Sequence, residues 1–339
     1  MTPEGARGEP AGEPVAERRE SIEVDGIQVA PGTREDIDIH VERLASGPWI
    51  SIPTIVIHGR RPGPSVSVSA AVHGDEINGV EVARRLLSDL RPSELAGTLF
   101  VIPVVNQLGF MSGQRYLPDR RDLNRSFPGS PRGSLAARLA HLFMTEIISR
   151  CEYGIDLHSG SDNRANWPQI RADLDDPRIR EAADAFGAPI TLHARLRDGS
   201  LREAATQRGM AMLLFEGGED NRYDDYAIDA AHQGVLRVLA HLEMIDSAPG
   251  SSAPTLVSRS SRWVRAQRGG LLRSGVSLGD EVERRQVLGQ LSDIYGRSNL
   301  AVRAPLSGVV IGKTRTPRVN QGDALFHIAE PQPRPATGP

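Results

Sequence analysis

The sequence predicts an α/β domain with a mixed sheet flanked by helices, followed by a small all-β domain. Three observations carry that prediction. Short apolar, strand-like runs alternate with helical patterns from residue 21 to about 248, as expected for layers of helices on a sheet. The stretch "DSAPGSSAPT" (246–255) has the composition of a linker. Beyond it come short β-like runs, Gly-Asp turns at 279–280 and 322–323, and no helical period. The expected units are therefore a disordered tail (1–20), an α/β domain (21–248), a β domain (249–332) and a second tail (333–339).

Each element has its own signal. "TIVIHG" (54–59) is a strand ended by a turn, and "RRPGPS" reads as the loop after it. "SVSVSAAV" (65–72) alternates with period two, which places Val66, Val68, Ala70 and Val72 on one face. From Ile77 the period becomes helical, with Ile77, Val80, Ala83 and Leu87 on the apolar side. "TLFVIPVV" (98–105) is a strand interrupted by Pro103. Residues 134–150 form a helix capped by Ser134, and "YGIDLH" (153–158) is a short strand. Asp176-Pro177 starts another helix, Ser200 and Glu203 suggest a capping box, "MAMLLFE" (210–216) is a strand, and 224–244 is helical.

The totals narrow the function classes. The 339 residues carry a net charge of -3, which gives no electrostatic case for nucleic acid. Lys313 is the only lysine among the basic residues, a bias that reads as genomic base composition. A single cysteine, Cys151, rules out an intramolecular disulfide and agrees with a reducing compartment. No apolar run approaches the ~18 residues that span a bilayer. The first twenty residues lack the apolar core of a signal peptide. The expectation is a cytoplasmic protein with no membrane partner.

Four strand-like runs end in polar groups: Val72 before His73, Val105 before Asn106, Leu157 before His158, and Phe215 before Glu216. In open α/β sheets ligands bind beyond the carboxyl ends of strands, so these endings suggest one site. His73 and Glu76 have the spacing of two metal ligands on a strand-to-helix turn, and His158 is the candidate third. Two imidazoles and a carboxylate suit Zn²⁺ and leave a position for water. Asp156 shares a strand face with His158 and is placed to orient that imidazole. Alone, H-x-x-E is a weak pattern, common on helix surfaces.

Two further stretches admit a bland and a functional reading. "QRYLPDRRDLNRSFPG" (114–129) is either a solvated loop or a carboxylate clamp. In the second case Asn124 and Arg125 grip a substrate carboxylate and Arg115 stabilises an oxyanion. Glu216 in "LLFEGGE" is either a turn carboxylate or a general base in a partly dry pocket, with Glu219 solvated beyond it. His40, His58, His141, His193, His232, His241 and His327 read as surface or core residues, His193 being the least secure of these. The segment 161–177 and the loop near His193 are expected in the pocket walls.

Jointly, "HGDE" (73–76), "PVVN" (103–106), "DLNRSFPG" (122–129), "DLHSG" (156–160) and "FEGG" (215–218) resemble the succinylglutamate desuccinylase/aspartoacylase family of the zinc carboxypeptidase superfamily. They occur in the family's order across residues 50–220. The resemblance implies one zinc ion held by His73, Glu76 and His158. It implies Glu216 as the base that activates water, and Asn124 and Arg125 as the carboxylate site. Arg115 corresponds to the family's carbonyl-polarising arginine. The implied fold is a zinc-carboxypeptidase-like sheet with a β domain that caps the site and restricts it to small substrates. The family often forms oligomers, so a homo-oligomer is an open expectation. The C-terminal part also resembles the two halves of a biotinyl/lipoyl-like barrel-sandwich. Its hairpin tip near 293–296 has no lysine to bear a cofactor, which favours a structural cap.

Three readings of function follow. The leading one is a zinc-dependent amidohydrolase acting on an N-acyl amino acid or similar small carboxylate. The second is a zinc carboxypeptidase for short peptides, and the third is a metal-stabilised binding protein without catalysis.

Overall fold

The computed structural model describes residues 19–250 and 254–332. Most of the expected disordered tails, 1–18 and 333–339, lie outside the described residues. Arg19 and Glu20, read as part of the first tail, are tied to the sheet by hydrogen bonds. The Arg19 guanidinium donates to Gly59 O, Gly97 O and Thr98 Oγ1, and Glu20 O lies 3.0 Å from His58 Nε2.

The chain opens with a hairpin, β1 (Ile22–Val24) and β2 (Ile27–Val29), then the long strands β3 (Thr33–Arg43) and β4 (Trp49–His58). There follow β5 (Arg61–Ala70), α1 (Asn78–Asp89), β6 (Ala96–Ile102), α2 (Gln107–Ser112), α3 (Leu135–Glu146) and β7 (Tyr153–His158). Next come β8 (Arg164–Ala172), α4 (Pro177–Phe186), β9 (Ile190–His193), α5 (Leu201–Thr206), β10 (Ala211–Glu219) and α6 (Asp225–His241). After the linker, the described residues are strands and turns. These strands are β11 (Leu256–Arg265), β12 (Gly270–Ser274), β13 (Glu281–Val282), β14 (Val287–Ser292), β15 (Asn299–Arg303), β16 (Gly308–Thr314), β17 (Arg318–Val319) and β18 (Ala324–Pro331).

One mixed sheet of 12 strands dominates, in the order β13-β16-β18-β11-β9-β8-β10-β7-β5-β6-β4-β3. β10, β7, β5 and β6 run parallel, so the carboxyl ends of β5, β7 and β10 share one edge. Helices cover both faces. Val66, Val68, Ala70, Leu213 and Phe215 pack with α1, α4 and α6 on one side. Phe100, Ile102 and Met212 pack with α3 and α5 on the other. Both faces of the central strands are therefore buried; β6 and β10 accordingly read as nearly continuous apolar runs, whereas β5 keeps its alternation by burying Ser67 and Ser69.

The caps behave as their chemistry dictates. Ser134 accepts from Ala137 N, and Asp176 accepts from Arg178 N and Ile179 N with Pro177 at the first helical position. Ser200 Oγ accepts from Glu203 N, while the Glu203 carboxylate reaches Gly199 N rather than the cap residue's own amide.

Three local expectations are corrected, and one segment gains an element. The proline-rich loop 60–65 is the start of β5, with its register broken between Arg61 and Ser65. Val72 leaves the Val66 face, because Ala71 has φ 47° and reverses the alternation one residue after the strand ends. The buried face of α1 centres on Val82, Ala83 and Leu86, while Ile77 and Val80 are half-buried. Residues 164–172, given no element by the sequence and expected only in the pocket walls, form β8, whose strand character Pro168 and the polar Asn166 and Gln169 obscure.

The C-terminal segment does not stand apart from the rest. It has its own apolar cluster around Leu288, Leu291, Leu325 and Phe326. Its strands nonetheless enter the main sheet: β11 pairs in parallel with β9, and β16 pairs antiparallel with both β18 and β8. A four-stranded sheet, β15-β14-β12-β17, contributes to the same apolar cluster. Glu219, expected in solvent, pairs with Arg315 Nε at 2.6 Å and ties the two parts together.

Candidate active site

His73, Glu76 and His158 meet at the shared edge of β5 and β7, all buried. The His73 Nδ1 lies 2.7 Å from one Glu76 oxygen, and the His158 Nδ1 lies 2.7 Å from the other. Behind each ring stands a second carboxylate. Asp156 Oδ2 is 2.7 Å from His158 Nε2, and Asp122 Oδ1 is 3.2 Å from His73 Nε2. Ser69 Oγ donates to the remaining Asp156 oxygen at 2.7 Å, and the Ser159 amide donates to Glu76 at 3.1 Å.

The ligand atoms of the triad lie within 4.8 Å of one another. Two imidazole nitrogens and a carboxylate, each ring backed by a carboxylate, fit a divalent metal with an open position. Burial opposes the Glu76 charge, but His73 and His158 hold its carboxyl well below the ordinary range. Burial likewise opposes charge on His158, yet Asp156 and Glu76 raise it well above its ordinary value. The carboxylates thus make both rings strong bases, and strong ligands once deprotonated.

The turn that builds this triad depends on a close approach. A Cβ on Gly74 would stand 1.9 Å from the Gly109 carbonyl carbon in α2. Gly74 is required by that contact, not by an unusual turn conformation. Asp75 supports the neighbouring loop: its carboxylate accepts from Ser161 Oγ at 2.8 Å, and its carbonyl accepts from Asn221 N. Burial, and then the Glu76 charge, push the Asp75 carboxyl up to about 6.

Glu216 is the register partner of His158 on the adjacent parallel strand. Asn166 Nδ2 donates to it at 2.6 Å, and Arg171 Nη1 lies 3.6 Å away. Asn78, the first residue of α1, donates to the Gly217 and Glu219 carbonyls, clamping the end of β10 to the "HGDE" turn.

Arg115 is mostly buried, with Nη2 on Asp122 Oδ2 at 2.9 Å and Nη1 3.5 Å from Glu76. Asn124 Oδ1 accepts from Leu201 N at 2.9 Å, so the group it has left to offer is its amide NH₂. The Arg125 side chain is exposed, and its Nη1 donates to the Asn124 carbonyl.

All of the named candidates except Asp156, which lies behind His158, line one cavity of about 930 Å³. Residues 161–171 and the loop after His193 contribute to its walls, as does Ser258–Ser261 from β11. His327, read as surface or core, also faces it. Sequence reading missed Asp122, Asn166, Arg171 and Arg197. Asp122 stood inside the "DLNR" motif and could have been matched to a histidine by analogy with Asp156. The other three carry no local signal.

Comparisons with known proteins agree with the fold. A model of the succinylglutamate desuccinylase/aspartoacylase catalytic domain matches residues 62–242, over half of the chain. The chain belongs to that family. It is 30% identical over 295 residues to the N-alpha-acetyl-L-2,4-diaminobutyric acid deacetylase of Halomonas elongata, covering 83% of this chain and 86% of that one. A family structure from Rhodobacter sphaeroides superposes with TM-score 0.81 at 27% identity, over 93% of this chain and 97% of the other. The product-bound ectoine utilization protein EutE (DoeB) of Ruegeria pomeroyi has the same fold, with TM-score 0.81 at 21% identity over 95% and 99% of the chains. No described helix is long and apolar enough to cross a membrane.

Proposed function

We propose that the chain is a zinc-dependent amidohydrolase that removes the acyl group from an N-acyl amino acid or similar small carboxylate. The observation that carries this reading is the register pairing of Glu216 with His158. It puts a carboxylate that accepts from Asn166, with the Arg171 guanidinium 3.6 Å away, beside a buried His–Glu–His triad. The Halomonas elongata relative is, by name, a deacetylase of an acetylated amino acid, which supports the reaction class.

The chemistry that a bound zinc supplies is Lewis acidity, which lowers the pKa of water toward ~7 and polarises a carbonyl. His73, Glu76 and His158 would hold it. Glu216 takes a proton from the attacking water and returns it to the leaving nitrogen as the C–N bond breaks. Asn166 and Arg171 fix the orientation of Glu216. Arg115, braced by Asp122, provides the cation for the oxyanion. Asn124 presents its amide and Arg125 its guanidinium to the α-carboxylate. Residues of β11 and β18 wall the cavity on one side, which favours small substrates over the longer peptides of a carboxypeptidase.

The test is hydrolysis of an N-acyl amino acid panel by zinc-loaded protein. Glu216→Gln is expected to lower the rate ~10²–10⁴-fold with metal content unchanged. A loss below ~10-fold removes Glu216 as the base. Failure to hydrolyse any member, with cleavage of peptides beyond three residues, would replace this reading with the carboxypeptidase.

A further inference from the structure

Among the described residues, three buried polar atoms on side chains that line the cavity have no hydrogen-bond partner: Ser159 Oγ, Arg171 Nε and His327 Nδ1. Arg171 Nε can only donate. His327, from β18, stacks on Trp263, and burial, then Arg171 and Arg197, push its pKa down to about 3. Ser159 alone adjoins the triad. It follows His158 in the chain, it is 3% exposed, and its amide donates to Glu76 at 3.1 Å. A buried hydroxyl left unpaired is costly, so one that faces a cavity marks where a polar group of the ligand belongs.

The place of that hydroxyl is set by the backbone around it, not by a hydrogen bond of its own. Ser159 N is held by Glu76, Gly160 N donates to Gly218 O at 3.1 Å, and Ser161 Oγ donates to Asp75 Oδ2 at 2.8 Å. A Cβ on Gly160 would stand 2.2 Å from the Arg164 carbonyl oxygen, so the turn has no slack. Three consecutive residues are thus pinned, while the Ser159 hydroxyl keeps its donor and its acceptors free. It stands one residue beyond His158, the register partner of Glu216 on the adjacent strand.

An amide offers two polar groups, a carbonyl oxygen and an N–H. In the deacylase reading Arg115 serves the oxygen, Glu216 serves the water and then the nitrogen lone pair, and Asn124 and Arg125 take the carboxylate. The scissile N–H is left without an acceptor. We infer that Ser159 Oγ accepts the scissile N–H, which makes Ser159 a further catalytic residue. The inference rests on the deacylase reading and deepens it. Fixing the N–H at Ser159 leaves the nitrogen lone pair to Glu216, which returns the proton as the C–N bond breaks. The serine keeps its own proton and forms no bond to carbon. The N–H becomes a stronger donor as the nitrogen gains positive charge, so the contact tightens toward the transition state and acts on kcat. The substrate is therefore a secondary amide, and N-acyl compounds without an N–H lose the contact.

Binding is the first test, because it does not depend on turnover. Calorimetry on the zinc-loaded full chain compares N-(methylphosphonyl)alanine with its lactate analogue, in which oxygen replaces the N–H. The wild type is expected to bind the N–H compound at least ~10-fold tighter, as for a hydrogen bond assisted by charge. Ser159→Ala is expected to bring that ratio below ~3, and Ser159→Thr, which keeps a hydroxyl, to retain it. Zinc content is expected to be unchanged, because both variants keep the amide that donates to Glu76. Equal binding of the two compounds by the wild type, at any affinity or none, overturns the contact, as does an unchanged ratio in Ser159→Ala. Turnover repeats the comparison on a second pair. Ser159→Ala is expected to lower kcat ~10–100-fold for N-acetylalanine and less than ~3-fold for O-acetyllactate. Equal losses on the two overturn the contact and leave the deacylase standing. A binding ratio that Ser159→Ala abolishes, with no N-acyl compound hydrolysed by the wild type, overturns the deacylase and leaves the contact standing.

Discussion

The imidazoles of His73 and His158 stand 4.9 Å apart, tilted 55°, each turning its Nδ1 to a different oxygen of Glu76. Glu76 is thus the common element of the triad. Glu76→Gln is expected to emerge from dialysis without metal while the wild type retains it, measured by elemental analysis. Protons compete for the same nitrogens, and the flanking carboxylates raise the pKa of both rings. Metal affinity therefore falls as pH falls. Chelator titrations at pH 8, 7 and 6 check the sign.

Asp122 and Asp156 hold the far nitrogens of the same two rings. Replacing either with Asn removes the charge that makes its histidine a better ligand. Each variant is expected to lose about 10–100-fold in metal affinity without losing its fold. Asp122→Asn also frees Arg115, so it is expected to lower the rate further than Asp156→Asn at saturating metal. Steady-state kinetics with excess zinc separate the two effects.

Gly74→Ala drives a methyl group into the backbone of Gly109 and Phe110, at 1.9 and 2.2 Å. Neither neighbour is a side-chain tip that can swing away. The expected cost is about 1–3 kcal/mol, as for other overpacked sites, with metal binding weakened because α2 and the ligand turn must separate. Urea unfolding and metal content report the two effects. A wild-type midpoint would show that the helix moves freely.

The neutral burial of His327 has a stability signature. Its folded pKa, about 3, lies below the ordinary 6.5. Below pH ~6.5 the unfolded chain takes up a proton that the folded one refuses, so this position loses stability as the pH falls from there toward 3. The slope is up to about 1.4 kcal/mol per pH unit. His327→Gln removes that dependence. Its stability relative to wild type is therefore expected to improve between pH 7 and pH 5, as read from denaturant midpoints.

What the sequence made legible follows from how local each signal was. Asp156 and His158 sit two apart on a strand, so one strand face predicts their contact. Asp176-Pro177 and Ser134 cap helices through atoms within three residues. Val72 was misplaced because a single non-glycine residue with positive φ, Ala71, leaves no compositional trace. Arg171, Arg197 and His327 line one cavity from β8, a loop and β18, segments far apart in the chain. The linker was visible from its composition, but the pairing of β11 with β9 and β16 with β8 was not, because hydrogen bonding between backbones is indifferent to side-chain pattern.

That pairing has a mechanical consequence. A cap joined by a flexible tether can swing open to admit cargo and close behind it. Here the wall bearing Trp263 and His327 is stitched into the same ladder as the strand bearing Asn166 and Arg171. To open it, rows of backbone bonds would have to break together. That side of the cavity is thus a fixed wall of the sheet, not a hinged lid.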